Sequence, residues 1–300
     1  MRDTQVTILT DRRYVEPAKD GSNNTRNIIY EDRLVRQALE RKGLKVKRIS
    51  WDDPRFDWSG TDFILFRSTW DYFERFPEFS VWLEEVKSLT RMLNPYEVIR
   101  WNLDKHYLMD LDEAGIPVPP TLIIEKGDQG SLENWTEQAG WKEIILKPVV
   151  SGAARHTYRF SAGKSGPYEE TFRKLIAEES MMIQEFQESV PVKGEIAFMV
   201  FGGKYTHAII KKAKKGDFRV QDDFGGSVHN YEASGPEIEF AEQVVDRCGF
   251  TTVYARVDAI RDNMGRIVVS ELELIEPELW FRFNPSAADQ LADTIAARYF

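Results

Sequence analysis

The sequence predicts an α/β protein built of α+β lobes. Three features carry that expectation: short β-branched runs alternate with amphipathic stretches over residues 1–98, a second such alternation begins at about residue 116, and the last third holds paired apolar runs joined by glycine-containing turns. Three hundred residues suit two or three lobes better than one small core.

QVTILT reads as the first strand, YVEPAKDGSNNTRN as a polar loop, and EDRLVRQALERKG as a helix with Leu34, Val35, Ala38 and Leu39 inward and Gly43 as its stop. LKVKRIS and TDFILFRS are further strands, separated by the turn-rich WDDPRFDWSG. Together they make a first α/β domain to about residue 98, whose ligand edge lies where strands end, at Asp11 and at Arg67 to Tyr72. NPYEVIRWNLDKHYLMDLDEAG then predicts a hinge and one helix, with Leu108 and Leu111 buried and Gly115 ending it. The prolines of IPVPPTLII hold that stretch extended. KEIILKPVV is a strand, ETFRKLIAEE a helix and SMMIQEF a strand, giving a small lobe at about 116–183. From 184 to 300 come EIAFMVFGGKYTHAIIKK, two strands turning at Gly202 and Gly203, the loop KKGDFRVQDDFGGSV, the helix PEIEFAEQVVDRCG, and the strands TVYARVDAIRD and RIVVSELELI around a DNMG turn. Ser286 and Asp289 offer an approximate capping box for a last helix.

Composition excludes several classes. Lys and Arg number 40 against 49 Asp and Glu, a net charge of -9, so no uniformly basic coat can grip a nucleic-acid backbone. Cys248 is the sole cysteine, which excludes an intrachain disulfide or thiolate zinc site and reads as buried filling. His106, His156, His207 and His229 are scattered and match no HExxH arrangement. MRDTQVTILTDRR lacks the apolar run of a signal peptide, and no stretch reaches membrane-span length. The expectation is a cytoplasmic protein with neither nucleic-acid nor membrane partner.

Asp258 lies late in one strand while Glu271 and Glu273 sit two apart on the next, hence on one face. If the DNMG hairpin pairs those strands, the three carboxylates converge, and such a cluster needs a cation or proton to offset repulsion; Mg²⁺ is one answer, a solvent-facing acidic strand the other. Lys105 and Lys147 lie near the ends of elements that can frame a cleft, either to meet triphosphate oxygens or as one helical surface lysine and one strand-end lysine; Lys147, between IIL and Pro148, is the less ordinary of the two, because an unpaired buried charge is costly. The loop SGAARHT, residues 151–157, can wrap phosphate through backbone N–H groups, although it is no Walker A loop. Lys211, Lys212, Lys214, Lys215 and Arg219 form a local basic stretch before Gly225 and Gly226, either a cover for phosphate or carboxylate or an exposed charged hairpin. Arg256 shares a strand face with Asp258, either to stabilise developing charge or to form a structural ion pair. After FILF, Arg67 and Asp71 can clamp a carboxylate and an amine beside Trp70, with Asp11 and Arg12 at the same edge; equally, Arg67 and Asp71 can pair with each other in a domain interface.

In order, WNLDK, IILKP, MIQEF, GEIAF, YARVD and ELELIEP resemble the motif series of ATP-grasp ligases across essentially the whole chain, with an N-terminal Rossmann-like pre-ATP-grasp domain. FRSTWDY, GDFRVQ with FGG, and ELELIEP resemble in particular the cyclo-ligases of D-cycloserine biosynthesis and the glutathione-synthetase-like and RimK-like proteins. The resemblance implies ATP with Mg²⁺, or Mn²⁺ in its stead. It implies Lys105, Lys147, Ser151 and Thr157 at the phosphates, Gln184, Glu185 and Phe186 beside adenine, and Glu195 at the ribose. It further implies Asp258, Glu271 and Glu273 at the metal and Lys212, Arg219 and Arg256 as catalytic cations. Many members carry Asn where this chain has Glu273. The implied reaction joins a carboxylate to an amine through an acyl phosphate, on two small molecules or by cyclising one. An ATP-binding regulatory module, a small-molecule kinase and a peptide-modifying ligase are the alternatives.

Overall fold

The computed structural model describes residues 4–15, 21–152, 154–214, 216–217 and 225–300. Their strands form three sheets. The first is parallel, in the order β2 (Lys45–Ser50), β1 (Gln5–Thr10), β3 (Phe63–Ser68), β4 (Arg91–Leu93), with α1 (Asn23–Arg41) and α2 (Phe76–Val86) as crossovers. α1 starts at Asn23 rather than near Glu31, because the Ser22 side chain accepts the Thr25 N–H and Ile28 and Ile29 prolong the buried stripe. Ser and Asn favour loops only until one of them caps a helix. α2, unanticipated, carries Phe79, Trp82, Leu83 and Val86 at helical spacing into the core.

The small sheet is antiparallel, in the order β5 (Thr121–Ile124), β8 (Met181–Glu185), β6 (Glu143–Pro148), β7 (Tyr158–Ser161). α5 (Leu132–Ala139) and α6 (Gly166–Glu178) cover it through Leu132, Phe172 and Ile176. The segment between the two sheets holds two short helices, α3 (Tyr96–Asn102) and α4 (Tyr107–Glu113), instead of one.

The large sheet runs β11 (Ser227–Tyr231), β10 (Lys204–Lys212), β9 (Glu195–Phe201), β12 (Tyr254–Arg261), β13 (Ile267–Glu273). Phe198, Val200 and Val257 turn one face toward α4 and α8 (Gly235–Arg247). On the other face, Met199, Phe201 and Tyr254 join Leu291 and Ile295 of α9 (Ala287–Tyr299) and Val6 and Ile8 of β1 in one core. Strand alternation keeps Glu195, Lys211, Arg256 and Asp258 on that same face, farther along the strands from these apolar residues. The polar cluster thus begins where the packing of α9 stops. The capping box expected for α9 is not formed, since Ser286 Oγ donates to Asn284 Oδ1 (2.7 Å).

Candidate active site

β12 and β13 pair antiparallel with Asp258 opposite Glu271 and Arg256 opposite Glu273. A bulge after Asp258 leaves Ser270 as the extra residue, and Ser270 Oγ reaches Glu195 Oε2 at 2.8 Å. One carboxylate oxygen from each of Asp258, Glu271 and Glu273 lies within 4.8 Å of the others, on the wall of a cleft of about 400 Å³. These acids are therefore not a solvent-facing row.

Each acid is matched by a cation. Arg256 Nε and Nη2 grip both Asp258 oxygens at 3.0 and 2.8 Å, and Nη2 also pairs with Glu273. Lys211 Nζ bridges Glu195 (2.6 Å) and Asp258 (2.9 Å), and Lys105 Nζ meets Glu271 at 3.0 Å. Burial pushes the Asp258 carboxyl up, but Arg256 and Lys211 outweigh it and hold its pKa below the ordinary value. Glu273 goes the other way, to about 7, because burial and the neighbouring acids exceed what Arg256 returns. Lys147 differs from Lys105 and Lys211: no acid pairs with its ammonium among the described residues, and burial followed by Lys105 presses its pKa down to about 8.

Gly194 makes the Lys211 pairing possible. With φ +85° and a would-be Cβ 2.3 Å from the Lys211 carbonyl oxygen, it lets β9 start directly against β10, so Glu195 faces Lys211 in register. The loop after β6 bends back over the cleft: Ser151 Oγ donates to the Arg155 carbonyl, and Arg155 anchors on Glu179 at 2.6 Å. Ser151 and Thr157 both line the cleft, with Gly152 seated against the Phe73 ring. Gln184, Glu185 and Phe186 line the cleft as well, and the Arg159 guanidinium lies 3.6 Å from the Phe186 ring centroid.

Several expected residues lie elsewhere. Lys212 is exposed on the opposite face of β10, so the cation the strand delivers to the cleft is Lys211. Arg219 lies outside the described residues. Arg67 and Asp71 neither pair with each other nor line the cleft. Arg67 is buried against Asp32 (3.2 Å) and the Pro277 carbonyl (2.9 Å), and Asp71 is taken by Trp51 Nε1 (2.7 Å) and Arg75 (2.8 Å). Asp11 is fully buried and held by Arg13, and Arg12 pairs with Asp52. Trp70 does line the cleft, its Nε1 donating to the Glu276 carbonyl (2.9 Å). Sequence reasoning named Lys211 only as one of the basic stretch and did not name Arg13 or Glu276 for the cleft; counting through the Gly202–Gly203 turn would set Ile210 opposite Glu195, and the register shift between Tyr205 and His207 puts Lys211 there instead.

Residues 104–274 match the RimK-like ATP-grasp domain, and residues 6–94 match the N-terminal domain of the D-cycloserine synthetase DcsG. The chain belongs to the RimK-like ATP-grasp family. It is 30% identical over 285 residues to the cycloserine biosynthesis protein DcsG of Streptomyces lavendulae, covering 90% of this chain and 94% of that one. A tetrahydromethanopterin:alpha-L-glutamate ligase of Methanosarcina acetivorans is 32% identical over 181 residues, 56% of this chain and 53% of its own. The crystal structure of D-cycloserine synthetase DcsG superposes with a TM-score of 0.86 at 27% identity, over 98% of this chain and 99% of that one. This ATP-grasp protein is therefore an ATP-dependent ligase acting through acyl-phosphate chemistry on an amino-acid-like substrate.

The donor set of this ATP-grasp ligase fits a hard divalent cation: three carboxylates and no sulfur or imidazole, with one oxygen each of Glu271 and Glu273 unengaged among the described residues. Among those residues no helix is long and apolar enough to cross a membrane.

Proposed function

We propose that the enzyme binds ATP with Mg²⁺, or Mn²⁺ in its place, in this cleft and uses it to close an amide-type bond at a carboxylate of an amino acid or amino-acid derivative. The observation that carries the reading is Lys147, a cleft ammonium without a counter-ion among the described residues, on the wall that also holds Lys105 and the three carboxylates. In this reading the chain divides near residue 98, and the small lobe, about 116–183, covers the nucleotide.

Lys105 and Lys147 would hold phosphate oxygens, with the backbone of 151–157 above them. Gln184 to Phe186 would edge the adenine. Glu195 would serve the ribose while it orients Lys211. Glu271 and Glu273, with Asp258, would hold the metal, which when bound supplies charge neutralisation at the phosphates. Forming the acyl phosphate makes a bond from a substrate carboxylate oxygen to the γ-phosphorus and breaks the bond to ADP. An amine nitrogen then attacks the acyl carbon, loses its proton, and inorganic phosphate leaves. Arg256, held by Asp258 and Glu273, would face the charge that develops, and no protein nucleophile is required.

The substrate would sit against Trp70, Tyr72, Arg13 and Glu276, which line the same cleft. Glu195, Asp258, Glu271, Glu273 and Glu278 each form an ion pair, whereas Glu276, like Glu74 and Glu185 of the same cleft, forms none among the described residues and feels Lys105 only at longer range. Such a carboxylate suits a substrate ammonium, and Arg13 suits a substrate carboxylate. Whole-chain likeness to a D-cycloserine synthetase favours a cyclising reaction, which puts acid and nucleophile in one molecule.

The test is ATP-dependent release of ADP and phosphate with Mg²⁺ across pooled amino acids and derivatives, with mass spectrometry of the products. Phosphate release with loss of water, or of water and a further group from a single substrate, supports the reading. ADP without phosphate and a product heavier by one phosphoryl group would make the protein a kinase, and absence of nucleotide binding in folded protein would overturn the reading altogether.

A further inference from the structure

β13 carries Glu271 and Glu273, yet it is the outermost strand of the large sheet, and its far edge pairs with no other strand among the described residues. An open edge leaves backbone N–H and C=O groups unpaired and the strand free to shift. Here side chains occupy the edge. Tyr107 Oη accepts the Leu272 N–H at 3.1 Å; Asn102 Nδ2 donates to the Leu272 carbonyl and Asn102 Oδ1 accepts the Leu274 N–H, both at 2.7 Å; Asn94 Nδ2 donates to the Leu274 carbonyl at 2.8 Å. Four consecutive edge groups are thus satisfied by three buried residues.

The spacing of these contacts matters. Leu272 and Leu274 are the residues whose outward-facing backbone alternates with Glu271 and Glu273, so holding them fixes both carboxylates without touching either. Asn94 also reaches the neighbouring strand, donating to the Tyr254 carbonyl (2.9 Å) and accepting the Val253 N–H (2.5 Å), which ties the start of β12 to the end of β13. The same stretch, 94–107, supplies Lys105, which meets Glu271 at 3.0 Å. A purely structural edge cover would need no such convergence on one pair of acids.

We propose that Asn102 and Tyr107, with Asn94, are positioning residues for the metal site: their side chains act as a substitute sixth strand that sets the Glu271–Glu273 spacing for a divalent cation. The proposal rests on the reading of Asp258, Glu271 and Glu273 as metal ligands. Groups that orient ligands commonly govern metal affinity by about 10- to 100-fold.

The experiment measures Mn²⁺ affinity and electron paramagnetic resonance line shape in the full-length protein saturated with ADP. Wild type is compared with Asn102→Ala, Tyr107→Phe and Glu271→Gln, each well below its own unfolding temperature, and ADP affinity is measured separately in EDTA. Asn102→Ala is expected to weaken Mn²⁺ about tenfold or more and broaden its spectrum, with metal-free ADP binding changed by less than about threefold. Tyr107→Phe, which deletes a single hydroxyl, keeps the test open if Asn102→Ala folds poorly, and is expected to weaken Mn²⁺ about threefold. If Glu271→Gln impairs Mn²⁺ binding while the Asn102 and Tyr107 variants lower only thermal stability, the clamp is structural and the proposal is overturned with the metal reading intact. If Glu271→Gln leaves Mn²⁺ binding unchanged, the metal reading fails and the proposal falls with it.

Discussion

Arg67 shows how one side chain can satisfy two chemical descriptions. It ends a strand at the ligand edge, as a substrate clamp should, yet it is 3% exposed and bound to Asp32 and the Pro277 carbonyl. Arg67→Met should therefore lower unfolding free energy by about 1–3 kcal/mol in urea titrations, by leaving the buried Pro277 carbonyl without this donor and Asp32 with Arg48 as its remaining ion-pair partner among the described residues. A substrate-binding arginine would instead spare stability and raise KM. Lys147→Met should leave the fold intact and weaken ADP binding about 10- to 100-fold by calorimetry, the worth of a charge-assisted hydrogen bond. Glu276 gives a pH signature. Burial, then Glu273, lifts its carboxyl from 4.5 to about 8. The fold thus favours the protonated form, so this stabilising contribution is full below pH 4.5 and lost as pH rises through 8. Glu276→Gln should raise the Tm at about pH 9 and leave it nearly unchanged at about pH 4.5; an equal shift at both would refute the argument. Residue types at the site were legible in the sequence, and parity on a strand was less so: Lys211 and Lys212 differ by one position and by which face they occupy.

At the scale of elements, the pairing of the two acid-bearing strands was legible from the DNMG turn, but their register was not: the turn alone would set Glu271 opposite Val257, and the bulge at Ser270 is what brings Glu271 and Glu273 onto the face of Asp258. α2 was not anticipated, and α1 was begun too late, because cap chemistry and crossover packing override the loop preference of Ser, Asn and Pro. The clamp on β13 could not be read at all, since it joins Asn102 to Leu272 across 170 positions. The loop 151–157 makes its own prediction. A Cβ at Gly152 would lie 2.6 Å from Phe73 Cε1, so Gly152→Ala must displace either the loop or the ring. Its KM for ATP should rise, and Phe73→Ala added to it should restore most of the loss; a double-mutant cycle with no coupling would show that the contact is incidental.

At the scale of the whole molecule, one apolar core draws on two sheets and α9, with Val6, Ile8 and Leu93 packed in the same cluster as Met199, Leu291 and Ile295. That the chain builds more than one α/β sheet was legible from the alternation of elements. The sharing of a core was not, since hydrophobic pattern shows which face is buried but not against what. That sharing bears on how the polypeptide is made. As the chain emerges in order, β1 to β4 can pair early and α1 can cover part of the side that carries Val6 and Ile8 through Val35, Ala38 and Leu39, but that cluster is completed only when the large sheet and α9 emerge. The nascent chain therefore keeps part of this apolar cluster open through most of translation, and the step that closes it to chaperones and self-association is the arrival of Leu291 and Ile295.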